Sequence, residues 1–473
     1  MTHDVVICGA GPAGSVVAQR LAAAGLRVAL VGAATRPGWE GLSSRSRGLL
    51  TEEGVDRQGE VIAGPFIRRG VWANGRSVEG VEWLVERAAL ADALSARAHE
   101  RGADYRADTV TSTTRAGDHW RVALRSGEVL AARMVVDARG RRARSPQRHE
   151  SCNTEAMRDG FRRSGPLLLA IGQQFRRQGA GGSGTGIGST DTGWCWWAER
   201  GDALWVQIIG KPRSLQPTAW VAAAAAQIPA LARALEGAIP DGAPVARAAH
   251  AQLRHACRAA QVRPGVACGA GRVQLGGASG SDGVEPTFWL AGDSAMALDP
   301  LSGQGVYEAV RGARLVATAI QSVTAGGDAR VAQRFVDERR TESWLNGVRV
   351  AAGFYRENER CGGFWSETAA AYEVLLTERG GLARIERRPV LDEGRIVERD
   401  VVVTAQHPRG VWQVAGVPLL ALQAYLATTE HASVDAVAVA LDRTPAAVAS
   451  AMSWLRERGS LLRQGLPRVS SGG

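Results

Sequence analysis

Residues 4–8, Asp-Val-Val-Ile-Cys, form a short apolar run that ends in Gly9-Ala10-Gly11-Pro12-Ala13-Gly14, after which Val16, Val17, Leu21 and Ala24 recur at helical spacing. Strand, tight glycine turn and helix thus follow one another, and a second apolar run, Leu26–Val31, completes a β-α-β unit in about thirty residues. No other feature constrains the fold as much. Such a unit starts a parallel sheet, aims the free N–H groups of a helix N-terminus at a diphosphate, and needs glycine where backbone and phosphate approach. Gly9, Gly11, Pro12, Ala13 and Gly14 are therefore expected to bind a dinucleotide. The acidic residue that ordinarily ends the second strand and accepts from a ribose is missing, because Val31-Gly32-Ala33-Ala34 stands there. Glu40 is the next acidic residue that could replace it.

Residues 82–102 carry Leu90, Leu94 and Ala98 on one helical face with Gly102 as the stop, so a helix is expected there. Strand-like alternation follows at Thr109–Thr113 and Trp120–Leu124, and Met134-Val135-Val136 leads into Asp137-Ala138-Arg139-Gly140, a return to the first sheet. From Gly165 to about residue 283, extended segments alternate with glycine-rich turns around a helical stretch near 217–236, the pattern of a second, β-rich layer. Within it, Trp194–Ala198 and Ala203–Gln207 flank Arg200-Gly201-Asp202 as a hairpin. Period-two geometry puts Trp194 and Trp196 on one face and Cys195 and Trp197 on the other. Trp194 and Trp196 are candidates for an aromatic substrate pocket; the alternative is that they only pack the sheet.

Residues 288–315 hold the most specific pattern. A strand ends at Gly292-Asp293, a loop runs through Asp299-Pro300 and Gly303-Gln304-Gly305, and a helix is expected from about Val306. Asp293 can accept from a ribitol hydroxyl, while the glycines bring N–H groups and a helix N-terminus to the polar edge of a flavin, where they stabilise negative charge.

Taken together, Gly9–Gly14, Asp137–Gly140, and Gly292-Asp293 with Pro300–Gly305 resemble the FAD-dependent monooxygenases of p-hydroxybenzoate hydroxylase type, a superfamily that includes flavin halogenases and geranylgeranyl reductases. The resemblance covers roughly residues 1–345. It implies an α/β fold: a Rossmann-like FAD-binding domain with an interleaved β-sheet substrate domain, followed here by a small winged-helix-like C-terminal domain. The expected divisions are 1–165, the first part of the FAD domain; 166–284, the substrate sheet; 285–380, the last part of the FAD domain with a helical extension; and 381–473. The resemblance also implies that Arg45 and Arg87 lie along the FAD, that Val110 lies near its adenine, and that Asp137, Gly292, Asp293, Pro300, Gly303, Gln304, Gly305 and Val306 belong to the cofactor site.

The halogenase branch carries an early active-site lysine and a Trp-x-Trp-x-Ile-Pro signature. Here residues 194–199 read Trp-Cys-Trp-Trp-Ala-Glu, and the sole lysine is Lys211. Asp299-Pro-Leu-Ser-Gly-Gln-Gly305 and Tyr355–Trp365 are similar instead to segments of the flavoproteins that build tryptophan-derived quinone cofactors in partner proteins. The implied activity is hydroxylation of an indole ring through a flavin C4a-hydroperoxide, using FAD, O2 and electrons from NADH, NADPH or a separate reductase. Its substrate would be a tryptophan of a partner polypeptide, with Asp299 as a candidate base for the indole N–H proton; the alternative is that Asp299 only supports the loop. Hydroxylation of a small aromatic or polyketide is the alternative; halogenation, isoprenoid reduction and a flavin-binding regulator are less favoured.

The C-terminal region bears on partners. Ser433–Gly459 reads as helix, turn, helix with starts at Ser433 and Thr444-Pro445, and Gly459-Ser-Leu-Leu resembles the strand entering a wing. Its second helix offers Thr444, Ser450 and Ser453 but no arginine before Arg456, a poor phosphate grip, so polypeptide docking or plain packing is expected before DNA binding. The net charge of +10 comes from dispersed arginines without a dense basic run, so nucleic acid is not an expected partner. No apolar stretch approaches the ~18–20 residues of a membrane span, and the N-terminus lacks a signal pattern, which points to a cytoplasmic protein without membrane partners. Pro467–Gly473 reads as a disordered tail. The six cysteines, without a CxxC, are expected as buried thiols, and neither they nor the eight histidines show metal spacing.

Overall fold

The computed structural model describes residues 2–33, 35, 37–55, 60–72, 75–143, 162–178, 182–212, 217–254, 287–359, 362–376, 384–404, 407–429 and 433–458. The chain divides into two compact units, Met1–Gln321 with Arg340–Thr377, and Ser322–Arg339 with Glu378–Gly473.

The first unit opens with β1 (His3–Cys8), α1 (Pro12–Ala23) and β2 (Val28–Val31), with β1 and β2 parallel. β3 (Trp39–Leu42), α2 (Ser44–Glu52), β4 (Ile62–Trp72), β5 (Arg76–Glu86) and α3 (Arg87–Glu100) follow. The helix expected from residue 82 begins only at Arg87. Residues 82–86 are instead the end of β5, hydrogen-bonded to β3 on one side and β4 on the other, and this ladder overrides local helix propensity. Gly102, at φ +96°, closes the helix where expected. Next come β6 (Asp104–Arg106), β7 (Val110–Ala116), β8 (His119–Leu124) and β9 (Val129–Asp137). They are followed by β10 (Arg162–Ser164), β11 (Leu169–Arg177), β12 (Ser183–Thr190), β13 (Gly193–Arg200) and β14 (Ala203–Gly210). Two helices, α4 (Pro217–Gln227) and α5 (Pro229–Leu235), precede the short strands β15 (Ala238–Pro240), β16 (Val245–Ala248), β17 (Gln252–Arg254), β18 (Thr287–Leu290) and β19 (Met296–Ala297). Helices α6 (Gly305–Thr324), α7 (Ala329–Glu357) and α8 (Gly363–Leu376) complete this stretch.

Two large sheets organise the unit, beside a small one of order β10-β17-β19. The first runs β6-β2-β1-β9-β8-β7, with β18 parallel to the second half of β9. Its centre is buried on both faces, which is why Val5–Cys8 is apolar without alternation; each of these residues is at 0% exposure. The second, of nine strands, runs β15-β11-β14-β13-β12-β4-β5-β3, with β16 also on β11. The hairpin expected around Gly201 joins β13 to β14, with Arg200 opposite Ala203. Glycines in this sheet make room for indoles: a Cβ on Gly172 would meet the Trp205 ring at 2.2 Å, and one on Gly186 the Trp197 ring at 2.1 Å. Alternation sorts the tryptophans as the period predicts. Trp194 and Trp196 pack with Trp344, Tyr355, Trp365 and Tyr372, whereas Cys195 and Trp197 pack with Trp220, Val221 and Leu231.

In the second unit, β20 (Arg384–Asp392) and β21 (Arg395–Val403) form a hairpin, and β22 (Gln413–Val414) pairs with β23 (Val417–Pro418). Helices α9 (Leu419–Thr428), α10 (Val434–Leu441) and α11 (Pro445–Arg458) follow. Leu419, Leu422, Val437, Val448, Ala451 and Leu455 share one core. Both helix starts are capped as the sequence indicates: Ser433 Oγ accepts from Ala436 N at 3.1 Å and Thr444 Oγ1 from Ala447 N at 3.3 Å. The wing strand expected at Gly459, the tail from Pro467, and Cys152, Cys257, Cys268 and Cys361 lie outside the described residues. Cys8 and Cys195 are free and buried, and burial pushes both thiols far up. No helix among the described residues is long and apolar enough to cross a membrane.

Candidate cofactor and substrate site

The turns after β1, β9 and β18 meet at the C-terminal ends of these parallel strands. Cys8 and Leu290 are both register partners of Asp137, so β1, β9 and β18 end side by side and their turns interlock. A Cβ on Gly9 would meet Ala138 O at 2.5 Å, one on Gly14 would meet Gly9 O at 1.9 Å, and one on Gly292 would meet Ala13 Cβ at 2.7 Å. Only glycine fits these crossings. The Cβ direction of Gly11, by contrast, meets nothing within 4 Å. It opens at the N-terminus of α1, which has no capping side chain and no acidic residue in its first turn. Free N–H groups, a positive helix end and an open glycine face suit a pyrophosphate.

Asp137 is fully buried, and its carboxylate accepts from the Arg139 backbone and guanidinium, the closest contact being 2.7 Å. It holds the turn from beneath. Asp293 is the open carboxylate, 47% exposed and 3.5 Å from Arg141 Nε. Gly32 explains the missing ribose acid: a Cβ there would meet Ala10 Cβ at 2.2 Å, so the position is closed to any side chain. Glu40 does not stand in for it at the end of β2. It lies in β3 of the other sheet, accepting from Arg87 Nε, with Arg247 Nη1 3.7 Å away. Burial pushes the Glu40 carboxyl up, but Arg87 and Arg247 outweigh it and hold it below its ordinary range. Burial also pushes Arg247 down to about 10.

Arg87 Nη2 is buried and has no hydrogen-bond partner among the described residues. Arg45 stacks on Tyr307 at the start of α6, 4.9 Å from the ring centroid, and donates to its hydroxyl. Val110 is buried against Val6, Cys8 and Val31 of the first sheet. The Cβ directions of Gly303 and Gly305 meet nothing within 4 Å, so the face ahead of α6 is open too. With one unpartnered guanidinium nitrogen and two uncluttered glycine turns, the residues present fit FAD.

Asp299 anchors the loop before α6. It is 1% exposed; Oδ2 accepts from Tyr372 at 2.6 Å and Tyr355 at 3.0 Å, while Oδ1 accepts from Leu301 N at 2.8 Å. Burial raises its pKa against the lowering effect of these donors. Of its two expected roles, base or loop support, the geometry favours loop support, because its oxygens face the protein's own donors. Trp194 and Trp196 are also buried, and the Trp196 indole donates to Glu82 Oε2 at 3.1 Å. A groove of about 650 Å³ lined by Arg69, Trp197, Glu199 and Arg233 lies on the opposite sheet face from Trp196. Lys211 pairs with Glu367 of α8. Sequence reading missed Glu82, Arg247 and Tyr372. Only Glu82 left a signal, an acid at an inward position of an alternating strand.

The likeness of the whole chain to a flavoprotein of known structure makes it an FAD-dependent oxidoreductase of the monooxygenase and flavin-halogenase-like superfamily. Among solved structures the chain is similar to the peptidyl tryptophan dihydroxylase QhpG, essential for tryptophylquinone cofactor biogenesis: 25% identity over 97% of this chain and 100% of that one, TM-score 0.74. It shares the fold of the flavin-dependent halogenase CmlS at 16% identity, over 97% and 95% of the two chains, TM-score 0.65. Tryptophan 2-halogenase of Chondromyces crocatus is 35% identical over 92 residues, 19% of this chain and 18% of that protein. Residues 4–156 match the family described as lycopene cyclase protein.

Proposed function

We propose that this flavoprotein hydroxylates the indole ring of a tryptophan in a partner polypeptide during construction of a quinone cofactor. The observation that carries the reading is the likeness to a peptidyl tryptophan dihydroxylase over 97% of the chain. Dioxygen and electrons from NADH, NADPH or a separate reductase complete the reaction. Bound FAD supplies the activated oxygen that an electron-rich ring attacks.

The chain's own residues bind, orient and exclude water. Gly9, Gly11, Pro12, Ala13 and Gly14, with the α1 N-terminus, hold the pyrophosphate, and Arg45 and Arg87 line it. Gly292 and Asp293 take the ribitol, with Asp137 fixing the adjoining turn through Arg139. Pro300, Gly303, Gln304, Gly305 and Val306 present N–H groups and the α6 N-terminus to the polar edge of the flavin, and Val110 backs the adenine side. Trp194 and Trp196, buried with Trp344, Tyr355 and Trp365, stiffen the sheet behind the incoming indole in place of lining its pocket. The C-terminal unit is the docking surface for the polypeptide.

The test is mass spectrometry after admitting oxygen to reduced enzyme with chloride, free tryptophan and tryptophan-containing polypeptides, including a quinone-cofactor precursor. One or two added oxygens on a polypeptide tryptophan alone is the expected result. Oxygen on free tryptophan would make it a small-molecule hydroxylase, and chlorine on either substrate a halogenase.

A further inference from the structure

We propose that Tyr355 and Tyr372 are positioning residues which, by clamping the Asp299 carboxylate, fix the flavin-facing loop 299–305. The inference deepens the reading above and rests on it. It also assigns Asp299 a structural task in place of proton abstraction.

The clamp is assembled from separate elements. Tyr355 projects from α7 and Tyr372 from α8, and both hydroxyls converge on one oxygen, Asp299 Oδ2, at 3.0 and 2.6 Å. The other oxygen caps the short turn Pro300–Ser302 through Leu301 N, and the Asp299 carbonyl accepts from Ser302 Oγ at 2.7 Å. That turn ends at Gly303, in the left-handed region at φ +64°, two residues before α6. A displaced carboxylate would therefore re-aim the loop N–H groups and the helix end together.

The tyrosines have little freedom to do anything else. Both are at 0% exposure, their rings lie 5.7 Å apart, and Tyr355 also packs on Trp365 at 5.6 Å. A Cβ on Gly165 would meet Tyr372 Cε1 at 2.6 Å, so the neighbouring backbone leaves the ring no slack. Two hydroxyl donors on one buried carboxylate oxygen are charge-assisted bonds of the strong kind, worth more in a dry site than in water. Burial and the nearby Asp299 charge also push both tyrosine hydroxyls well up, so they stay protonated donors.

The experiment uses the full-length protein, with FAD affinity read from flavin fluorescence and the environment of the bound flavin from its visible circular dichroism. Far-UV circular dichroism serves as the fold control. The variants are Tyr355→Phe with Tyr372→Phe, which keeps both rings, together with Asp299→Leu and Asp299→Asn. We expect the double phenylalanine variant and Asp299→Leu to weaken FAD binding by roughly ten- to hundredfold, the scale of a lost bond to a charged group, and to alter the visible signal alike. Asp299→Asn, which keeps an acceptor for Leu301 N but puts an amide NH2 where the hydroxyls donate, should fall between wild type and Asp299→Leu. Wild-type affinity in the double variant, or an Asn variant as impaired as Leu, overturns the clamp. Should the double variant lose its far-UV signal, Tyr372→Phe alone is read in the same way. Wild-type protein that binds no FAD would overturn the functional reading and this inference together, whereas failure of the variants to differ overturns only the inference.

Discussion

The Trp196 indole N–H donates to Glu82 Oε2 across 3.1 Å, joining positions 114 residues apart in β13 and β5. Both residues are buried, and Glu82 takes Arg68 on its other oxygen at 3.5 Å. Replacing Glu82 with Leu strands a buried indole donor, a loss of about 1–3 kcal/mol. Glu82→Gln keeps an acceptor and should cost less. Denaturant midpoints and tryptophan fluorescence of the two variants check the order.

Gly32 gives a prediction opposite to what motif repair suggests. Gly32→Glu restores an acid at the ribose position, yet its Cβ must occupy space 2.2 Å from Ala10 Cβ. The phosphate turn must shift, and FAD affinity should fall by more than about tenfold, the equivalent of ~1.4 kcal/mol. Titration of apoprotein with FAD decides it.

Glu40 has its folded pKa held below the unfolded value, so its contribution to stability is present above about pH 4.5 and is lost as pH falls through the folded pKa. At neutral pH, Glu40→Gln should be less stable than wild type by about 1 kcal/mol, a modest figure because the side chain is 28% exposed and screened. The gap should close in acid. It should also narrow above about pH 10, where Arg247 loses its charge. Thermal melts of both proteins across pH test both limbs.

Lys211 is tied to Glu367, which is 67% exposed. Lys211→Met is expected to keep hydroxylation within about twofold, a change below 0.5 kcal/mol in the barrier. A loss of turnover accompanied by chlorinated product in the wild type would reveal a halogenase lysine. Product analysis with and without chloride reads this.

Val439 on α10 is 84% exposed, an apolar side chain with no packing role. If the C-terminal unit docks the polypeptide, Val439→Asp should raise KM for polypeptide substrate several-fold while leaving FAD affinity and melting temperature near wild type. Steady-state kinetics on the precursor polypeptide provide the measurement.

Much of the framework was written locally. The apolar run before Gly9, the glycine turns, the caps at Ser433 and Thr444, and the two-faced tryptophans at 194–197 each follow from periodicity or from steric rules acting within a few residues. The start of α3 is not legible locally, because strand pairing of residues 82–86 depends on β3 and β4, which no local window contains.

The sequence by itself determined the opening strand-turn-helix, the glycine loop before α6 and the alternation of the second sheet, because short-range backbone geometry enforces them. Only the tertiary structure decided that Gly32 is sealed by Ala10, that Glu40 serves Arg87 and Arg247, and that Asp299 answers to Tyr355 and Tyr372, 56 and 73 residues away. Buried polar groups take whichever partner packing brings within about 3 Å, and that choice is made by the fold as a whole.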